Sequence, residues 1–218
     1  MYIIAHGFNS QHILSQLYYY LSIVALIPYY ILFLRKKSGS NAASWFQWMI
    51  VLSLVLATFT LGAHGSSFLI FTFMALFSFF YNLGKSSYFE GRSETVNAFK
   101  KMGQIGIAIV LIVSGFYEFW DDVLGDWLDE FTLFSGAFIA GFIYAIASFI
   151  LYLKRSAFSP KHLLDLDLVL WPFIIIFFTH TPFSALLCNV LGLATGISIL
   201  LRGVREDQLL TINFGLFI

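Results

Sequence analysis

Long apolar stretches, separated by short polar segments, make up almost the whole of this 218-residue chain. A membrane-spanning helix needs about 20 mostly apolar residues, and the chain offers seven such stretches. The pattern therefore predicts an all-α protein, a polytopic transmembrane helix bundle that forms one domain over residues 1–218. The predicted spans cover residues 12–34, 44–63, 66–83, 102–120, 132–153, 160–180 and 183–202.

A shorter apolar run begins at Leu209 and reaches Ile218. As a helix it would extend about 15 Å, which is half of the thickness of a bilayer's hydrocarbon core of about 30 Å. No charged, capping or turn residue closes this run. We therefore expect the chain to be a fragment of a longer protein, cut within an eighth span.

Basic residues are confined to alternate loops. All twelve Lys and Arg follow the first, third, fifth and seventh predicted spans, whereas the N-terminus and the other loops contain none. Basic loops stay in the cytoplasm because insertion disfavours the transfer of Lys and Arg across the membrane. The sequence thus predicts an N-terminus outside, and the alternation supports the count of spans.

Composition excludes several classes of protein. Hydrophobic residues make up 59% of the chain and charged residues 11%, with a formal net charge of zero, whereas about a quarter of the residues in soluble domains are charged. A soluble enzyme, a disordered chain and a nucleic-acid-binding domain are excluded on these grounds. The lipid bilayer is the partner that the composition predicts, and no cofactor is predicted.

Ionisable residues at membrane depth are candidates for function. Glu118, Asp165 and Asp167 lie within two turns of the ends of their predicted spans, and they are the candidate ligand-binding or ion-binding residues. His162 lies three residues before Asp165, on the same helix face. This pair is the candidate centre of an enzyme that acts on lipid at the inner face.

Two histidines occupy matching turns on the predicted outer side. His64 lies between the second and third spans, and His180 between the sixth and seventh. Imidazoles together with a carboxylate are able to bind a divalent metal. No HxxxH or HExxH spacing supports such a site, and the alternative is that polar residues occupy short, wet turns.

Small residues recur at a spacing of four in two of the spans, which lets two helix backbones approach closely. One interpretation is a face for homo-oligomers, and the other is packing inside a single bundle. Four uncharged polar residues within the spans are predicted to form hydrogen bonds to a neighbouring helix. The small residues are Ala137, Gly141, Ala145, Gly192 and Gly196, and the polar residues are Gln47, Asn82, Gln104 and Asn189.

Tryptophans flank the acidic loop that follows the fourth span. Trp120 and Trp127 stand on either side of several aspartates. Amphipathic indole rings favour the headgroup boundary of a bilayer. We therefore predict that both side chains lie at the outer boundary of the membrane.

Two stretches are similar to a known family. Residues 92–120 join a polar loop to a glycine-bearing span that ends in an aromatic cluster, and residues 186–218 contain a span, a basic RGVR turn and a new apolar run. Both resemble the bacterial family of predicted multi-span membrane proteins called domain of unknown function 2157. The resemblance implies a protein of the bacterial inner membrane with spans beyond Ile218, and it implies no catalytic residues.

Three functions are compatible with the sequence. The sequence favours a non-enzymatic scaffold or sensor-like component, because it contains no nucleophile elbow, P-loop or dinucleotide-binding motif. The alternatives are a small-solute transporter, with three spans on each side of a linking span, and a membrane-embedded enzyme acting on lipid. A scaffold predicts a bundle packed throughout, a transporter a polar cavity, and an enzyme clustered ionisable groups at one interface.

Overall fold

The computed structural model describes residues 10–36, 41–61, 68–86, 89, 97–116, 120, 136–155, 183–205 and 209–217. The regular secondary structure among these residues is α-helical, and none of them lies in a strand. The helices are α1 (Ser10–Lys36), α2 (Asn41–Leu61), α3 (Leu69–Gly84), α4 (Ala98–Ser114), α5 (Gly136–Arg155), α6 (Ser184–Arg205) and α7 (Leu209–Phe217).

Three of the described helices are long and apolar enough to cross a membrane. The qualifying stretches are Ala42–Leu61 in α2, Gly136–Lys154 in α5 and Ser184–Leu201 in α6. The prediction of an all-helical membrane protein is confirmed at this level. The 16 residues of α3 are also apolar, and at 1.5 Å per residue they extend about 24 Å. The predicted span at 160–180 lies outside the described residues.

The central helix of the bundle is α3. Eleven of its 16 residues are buried, because α4 and α5 pack along it and α2 contacts it as well. Its sequence is apolar on nearly every side, and a helix of this kind is normally surrounded by protein or lipid. The core of the described bundle is therefore built around α3.

Glycines let α4 approach α3 closely. A Cβ atom at Gly103 would lie 2.5 Å from the backbone nitrogen of Tyr81, and one at Gly84 would lie 2.7 Å from the Cα atom of Lys100. Distances this short are sterically forbidden, so each of these positions requires a residue without a side chain. Because the contact partners run in opposite order along the chain, α3 and α4 are antiparallel.

By contrast, α3 and α5 run parallel to each other. Near the beginning of both helices, the hydroxyl of Thr72 donates to the carbonyl oxygen of Ala137 at 2.7 Å. Further along both helices, the hydroxyl oxygens of Ser78 and Ser148 are 2.9 Å apart. The contacts advance in the same direction along the two helices, so both end at the same end of the bundle.

The remaining contacts show which parts of the outer helices lie beside their neighbours. The ring of Tyr30, late in α1, stacks on that of Phe46, early in α2, with centroids 5.7 Å apart. The side chain of Asn189, early in α6, hydrogen-bonds the carbonyl of Gly115, just after α4. A Cβ atom at Gly215 of α7 would come within 2.9 Å of the carbonyl oxygen of Gly196.

These directions bring the described basic residues to one end of the bundle, which we call the basic end. Helices α1, α3, α5 and α6 end there, whereas α2 and α4 begin there. The beginning of α6 lies at the opposite end, beside the end of α4. The described basic residues of this end are Arg35, Lys36, Lys85, Lys100, Lys101, Lys154, Arg155, Arg202 and Arg205.

Candidate functional site

A buried polar cluster lies between α3 and α5, in the half of the bundle nearer the basic end. It consists of Ser78, Asn82 and Ser148, which are at most 1% exposed, and we call it the Ser–Asn–Ser cluster. The two hydroxyl oxygens are 2.9 Å apart. The amide nitrogen Nδ2 of Asn82 donates to Ser148 Oγ at 2.9 Å and to the Ser78 carbonyl oxygen at 3.0 Å.

Helix geometry explains how the cluster forms. Ser78 and Asn82 are four residues apart, so their side chains lie on one face of α3. Ala75 and Ala145 lie one turn away and belong to one buried cluster. Their short side chains allow α3 and α5 to approach closely enough for the hydroxyls to meet. Of the three residues in the cluster, Ser148 is the one that belongs to α5, so its hydroxyl joins the two helices.

The other amide atom of Asn82 is not paired. Oδ1 is buried and has no hydrogen-bond partner among the described residues. Nδ2 already uses both of its protons, so the orientation of the amide agrees with its surroundings. Because buried polar groups in native proteins are normally hydrogen-bonded, this oxygen requires an explanation. The cluster has no side chain that titrates near neutral pH, so it offers neutral oxygen ligands rather than acid–base chemistry.

A second set of polar contacts joins three helices at the basic end. Asn97 caps α4, since its Oδ1 accepts from the backbone nitrogen of Lys100 at 3.1 Å, while its Nδ2 donates to the carbonyl of Gly84 at 2.6 Å. Oε1 of Gln47 in α2 accepts from the backbone nitrogen of Ala98 at 3.2 Å. Nε2 of Gln47 is buried and has no hydrogen-bond partner among the described residues.

At the opposite end, the end of α4 is held by two side chains. Nδ2 of Asn189 donates to the carbonyl of Gly115 at 2.9 Å, and Nε1 of Trp120 donates to the carbonyl of Ser114 at 2.6 Å. The acceptors are the last residue of α4 and the residue that caps it, whose carbonyls have no partner within the helix. Trp120 is only 2% exposed, so its ring is buried by protein. Its predicted position at the outer boundary of the membrane, like that of Trp127, stays a prediction.

The prediction that uncharged polar residues join neighbouring helices is confirmed for Gln47, Asn82 and Asn189. The sequence analysis did not single out Ser78, although it lies four residues before Asn82 in an otherwise aromatic span. It also missed Ser148, and nothing in the sequence indicates which helix this serine faces.

The small residues of α5 face α3. Ala137 and Ala145 are each 1% exposed, and a Cβ atom at Gly141 would lie 2.7 Å from the ring of Phe71. The described part of the bundle itself therefore covers this face. This observation favours packing inside one bundle over a face for homo-oligomers.

The two glycines of α6 differ in their surroundings. The carbonyl oxygen of Gly196 lies at the close approach to Gly215 of α7. A Cβ atom at Gly192, in contrast, would have nothing within 4 Å. The GxxxG pair in α6 therefore serves one close helix contact at Gly196 and none at Gly192 among the described residues.

The acidic and histidine candidates, which are Glu118, Asp165, Asp167, His64 and His180, lie outside the described residues. Their roles therefore stay predictions. Within the part of the chain that the structure describes, no group of three or more His, Cys, Asp and Glu residues is placed to hold a metal ion.

The resemblance to domain of unknown function 2157 remains a prediction. None of the models of known protein families, curated proteins or solved structures that were searched matches this chain.

Proposed function

We propose that this chain is an integral protein of the bacterial inner membrane that acts as a non-enzymatic scaffold or sensor-like component. In this proposal the chain has seven spans and the start of an eighth, its N-terminus lies outside and its basic end faces the cytoplasm. The close packing around α3 is the observation that carries the proposal. A static bundle needs tight contacts between helices, whereas a transporter needs a path between them.

The packing around α3 is close on two sides. A Cβ atom at Gly103 of α4 would lie 2.8 Å from the Phe77 carbonyl oxygen, and one at Gly141 of α5 would lie 3.0 Å from Thr72 Oγ1. Opening a path along α3 would require these backbones to separate and would break the hydrogen bonds of the Ser–Asn–Ser cluster. A fixed arrangement of α3, α4 and α5 is therefore the simplest account of these contacts.

Helix directions support the proposed topology. Helices α5 and α6 run in the same direction, because α5 is parallel to α3 and α6 is antiparallel to α4. We infer that the chain returns across the bundle between Arg155 and Ser184, because the predicted span at 160–180 has the length and composition for this return. Basic residues at a single end of the bundle agree with the positive-inside rule.

An exposed indole supports a membrane boundary near the basic end. Trp45, in the second turn of α2, is 70% exposed. It lines an open groove of about 510 Å³ together with Ser44, Trp48 and Leu52. Tryptophan rings are enriched at the interface between hydrocarbon and headgroups, so the position of Trp45 fits the inner boundary of a membrane.

The second candidate function is transport of a small solute. Oδ1 of Asn82 and Nε2 of Gln47 are buried and have no hydrogen-bond partner in the part of the chain that the structure describes. Both atoms favour transport, because a polar solute would supply the missing hydrogen bonds. A lipid-acting enzyme would depend on His162 and Asp165, which lie outside the described residues.

Locking α3 to α5 distinguishes a scaffold from a transporter. Ala75 and Ala145 pack together in the core, and Cys188 is the single native cysteine. We propose a double variant, Ala75→Cys with Ala145→Cys, in a Cys188→Ala background, oxidised to form a disulfide. The measurement is whether the locked protein reverses the growth or envelope defects of a deletion strain.

A scaffold is expected to work equally well in the oxidised and reduced states. Loss of complementation on oxidation, with recovery after reduction, would overturn the scaffold proposal and favour a transporter with moving helices. The single variant Ala75→Cys, in the same background, controls for the substitution itself and for the oxidant.

A further inference from the structure

The open groove on α2 changes from polar to apolar along its length. It has a volume of about 510 Å³ and is lined by Ser44, Trp45, Trp48 and Leu52, and pockets that hold ligands span about 300–1,000 Å³. Ser44 is the fourth residue of α2, at the basic end, and Leu52 lies about 12 Å further along the helix. A molecule with a polar head and an apolar chain fits this order of side chains.

The apolar side of the groove continues along α2. Trp45, Leu52 and Leu56 are 70%, 45% and 61% exposed, and their spacing of seven and four residues places them on one face of the helix. Because α2 is long and apolar enough to cross a membrane, this exposed face is suited to contact with acyl chains. The groove is therefore open towards lipid hydrocarbon.

The beginning of α4 lies beside the polar end of the groove. Gln47 follows Ser44 by three residues, and its Oε1 accepts from the backbone nitrogen of Ala98, the first residue of α4, at 3.2 Å. Lys101 is half-buried and follows Ala98 by three residues, so it lies on the same face of α4. The positive end of the dipole of α4 and a lysine are thus near the polar end of the groove.

Two features of this junction point to an anion. The side chain of Gln47 is fully buried, and its Nε2 has no hydrogen-bond partner within the described residues. Lys100 and Lys101 place positive charge in the first four residues of α4, where the helix dipole favours negative charge, and α1, α2 and α4 contain no Asp or Glu. An anionic oxygen would accept from Nε2 and offset the charge of the lysines and of the helix end.

We propose that this junction binds an anionic phospholipid. Its phosphate lies at the polar end of the groove, beside the beginning of α4, and one acyl chain follows Trp45, Trp48 and Leu52. Indole rings favour the boundary between headgroups and hydrocarbon, and basic residues at that boundary attract anionic lipids. A free anion would account for the donor and the charges but not for the apolar length of the groove, so a lipid fits both.

The bound lipid joins α2 to α4. Its contacts come from both helices, so its binding stabilises their junction against unfolding. The inference rests on the proposed location in a membrane and stands apart from the scaffold role, because a lipid at this site is compatible with a static bundle and with a transporter alike. A negative result in the lipid titration below leaves the result of the disulfide experiment unaffected.

The test measures the midpoint of thermal unfolding of the full chain, purified in detergent and stripped of lipid. Phosphatidylglycerol and phosphatidylcholine with identical acyl chains are added in separate titrations, and inorganic phosphate in a third. We expect phosphatidylglycerol to raise the midpoint saturably, by about 4 °C at ten times its dissociation constant, and the other two to raise it by less than half as much at the same concentration. An equal shift with phosphatidylcholine would overturn the anionic headgroup, and an equal shift with inorganic phosphate would overturn the lipid.

Two lysine variants connect the shift to the junction. Lys101→Gln removes one charge and should weaken the apparent affinity for phosphatidylglycerol about fivefold. It should not unfold the protein, because a positive charge at the beginning of a helix is unfavourable. The matched control is Lys154→Gln, which removes the same charge from an exposed position at the basic end of α5 and should keep the affinity. Equal losses in the two variants, or no loss in Lys101→Gln, would overturn the proposal.

The groove itself is tested by Trp45→Ala. This substitution removes an exposed indole and leaves every charge in place. It should weaken the binding of phosphatidylglycerol because the acyl chain loses one wall of its groove. An unchanged affinity would show that the lipid does not lie along α2.

Discussion

At the scale of single residues, glycines with the same sequence appearance have different structural roles. Gly103 of α4 lies against the backbone of α3, where a Cβ atom would be 2.5 Å from the Tyr81 nitrogen. Gly192 of α6 belongs to the more conspicuous GxxxG pair, yet a Cβ atom there would have nothing within 4 Å. The environment of a glycine, and not its motif, decides what a substitution does.

Substitution of Gly103 by alanine is therefore expected to destabilise the bundle. The added Cβ atom meets backbone atoms of Tyr81 and Phe77, which cannot rotate away as a side chain could. Overpacking of this kind costs about 1–3 kcal/mol. The measurement is the free energy of unfolding in an SDS titration of the protein in mixed micelles.

The matched control for this substitution is Gly192→Ala. It adds the same methyl group in open space and gains the helix propensity of alanine, so the free energy of unfolding is expected to rise by up to about 1 kcal/mol. Equal losses in the two variants would show that α3 and α4 are not in the close contact described above.

At the scale of helices, the sequence located most elements but not all of their ends. Hydropathy predicts that the fourth span begins at residue 102, which leaves Lys100 and Lys101 in the loop. The structure begins α4 at Ala98. Asn97 caps the helix, so both lysines lie within its first two turns. Hydropathy alone marks the apolar part of a helix, whereas capping marks its beginning.

The partners within the polar sites were less predictable. The sequence indicated that Asn82 would bond a neighbouring helix, but it did not identify Ser148 as the partner. Helix periodicity shows which residues share a face, and the identity of the opposite face depends on which helices pack together. In a membrane this pairing depends on close packing and hydrogen bonds and less on hydrophobicity, so the apolar pattern does not encode it.

Asn97 is expected to stabilise the junction of α3 and α4 in two separable ways. Asn97→Ser keeps an oxygen that caps α4 but is too short to reach the Gly84 carbonyl, so it should cost about 1 kcal/mol. Asn97→Ala also loses the cap and should cost about 2 kcal/mol in total. SDS titration of both variants measures the two steps.

Equal stabilities of the serine and alanine variants would contradict the capping role. If Asn97→Ser is as stable as the wild type, the hydrogen bond to Gly84 contributes nothing. The substitution Asn189→Ala is a useful comparison, because it removes a single hydrogen bond to the end of α4 without touching its beginning.

At the scale of the whole molecule, helix directions carry information that hydropathy lacks. The contacts of α3 with α4 and α5, of α1 with α2, of α2 with α4 and of α4 with α6 bring the described basic residues to the same end. The alternation of basic loops in the sequence and the helix directions in the structure both bring the described basic residues to one side. Their agreement supports the proposed topology.

The topology makes its sharpest prediction on the two sides of the predicted span at 160–180. Because α5 ends at the basic end and α6 begins at the opposite end, a cysteine at Ser156 should face the cytoplasm and one at Thr181 the outside.

Single variants Ser156→Cys and Thr181→Cys in a Cys188→Ala background are treated with a membrane-impermeant maleimide. In intact cells the reagent should label only the cysteine at 181, and in disrupted cells it should label both. Labelling of both in intact cells would mean that the chain does not cross between α5 and α6, and the seven-span topology would then be wrong.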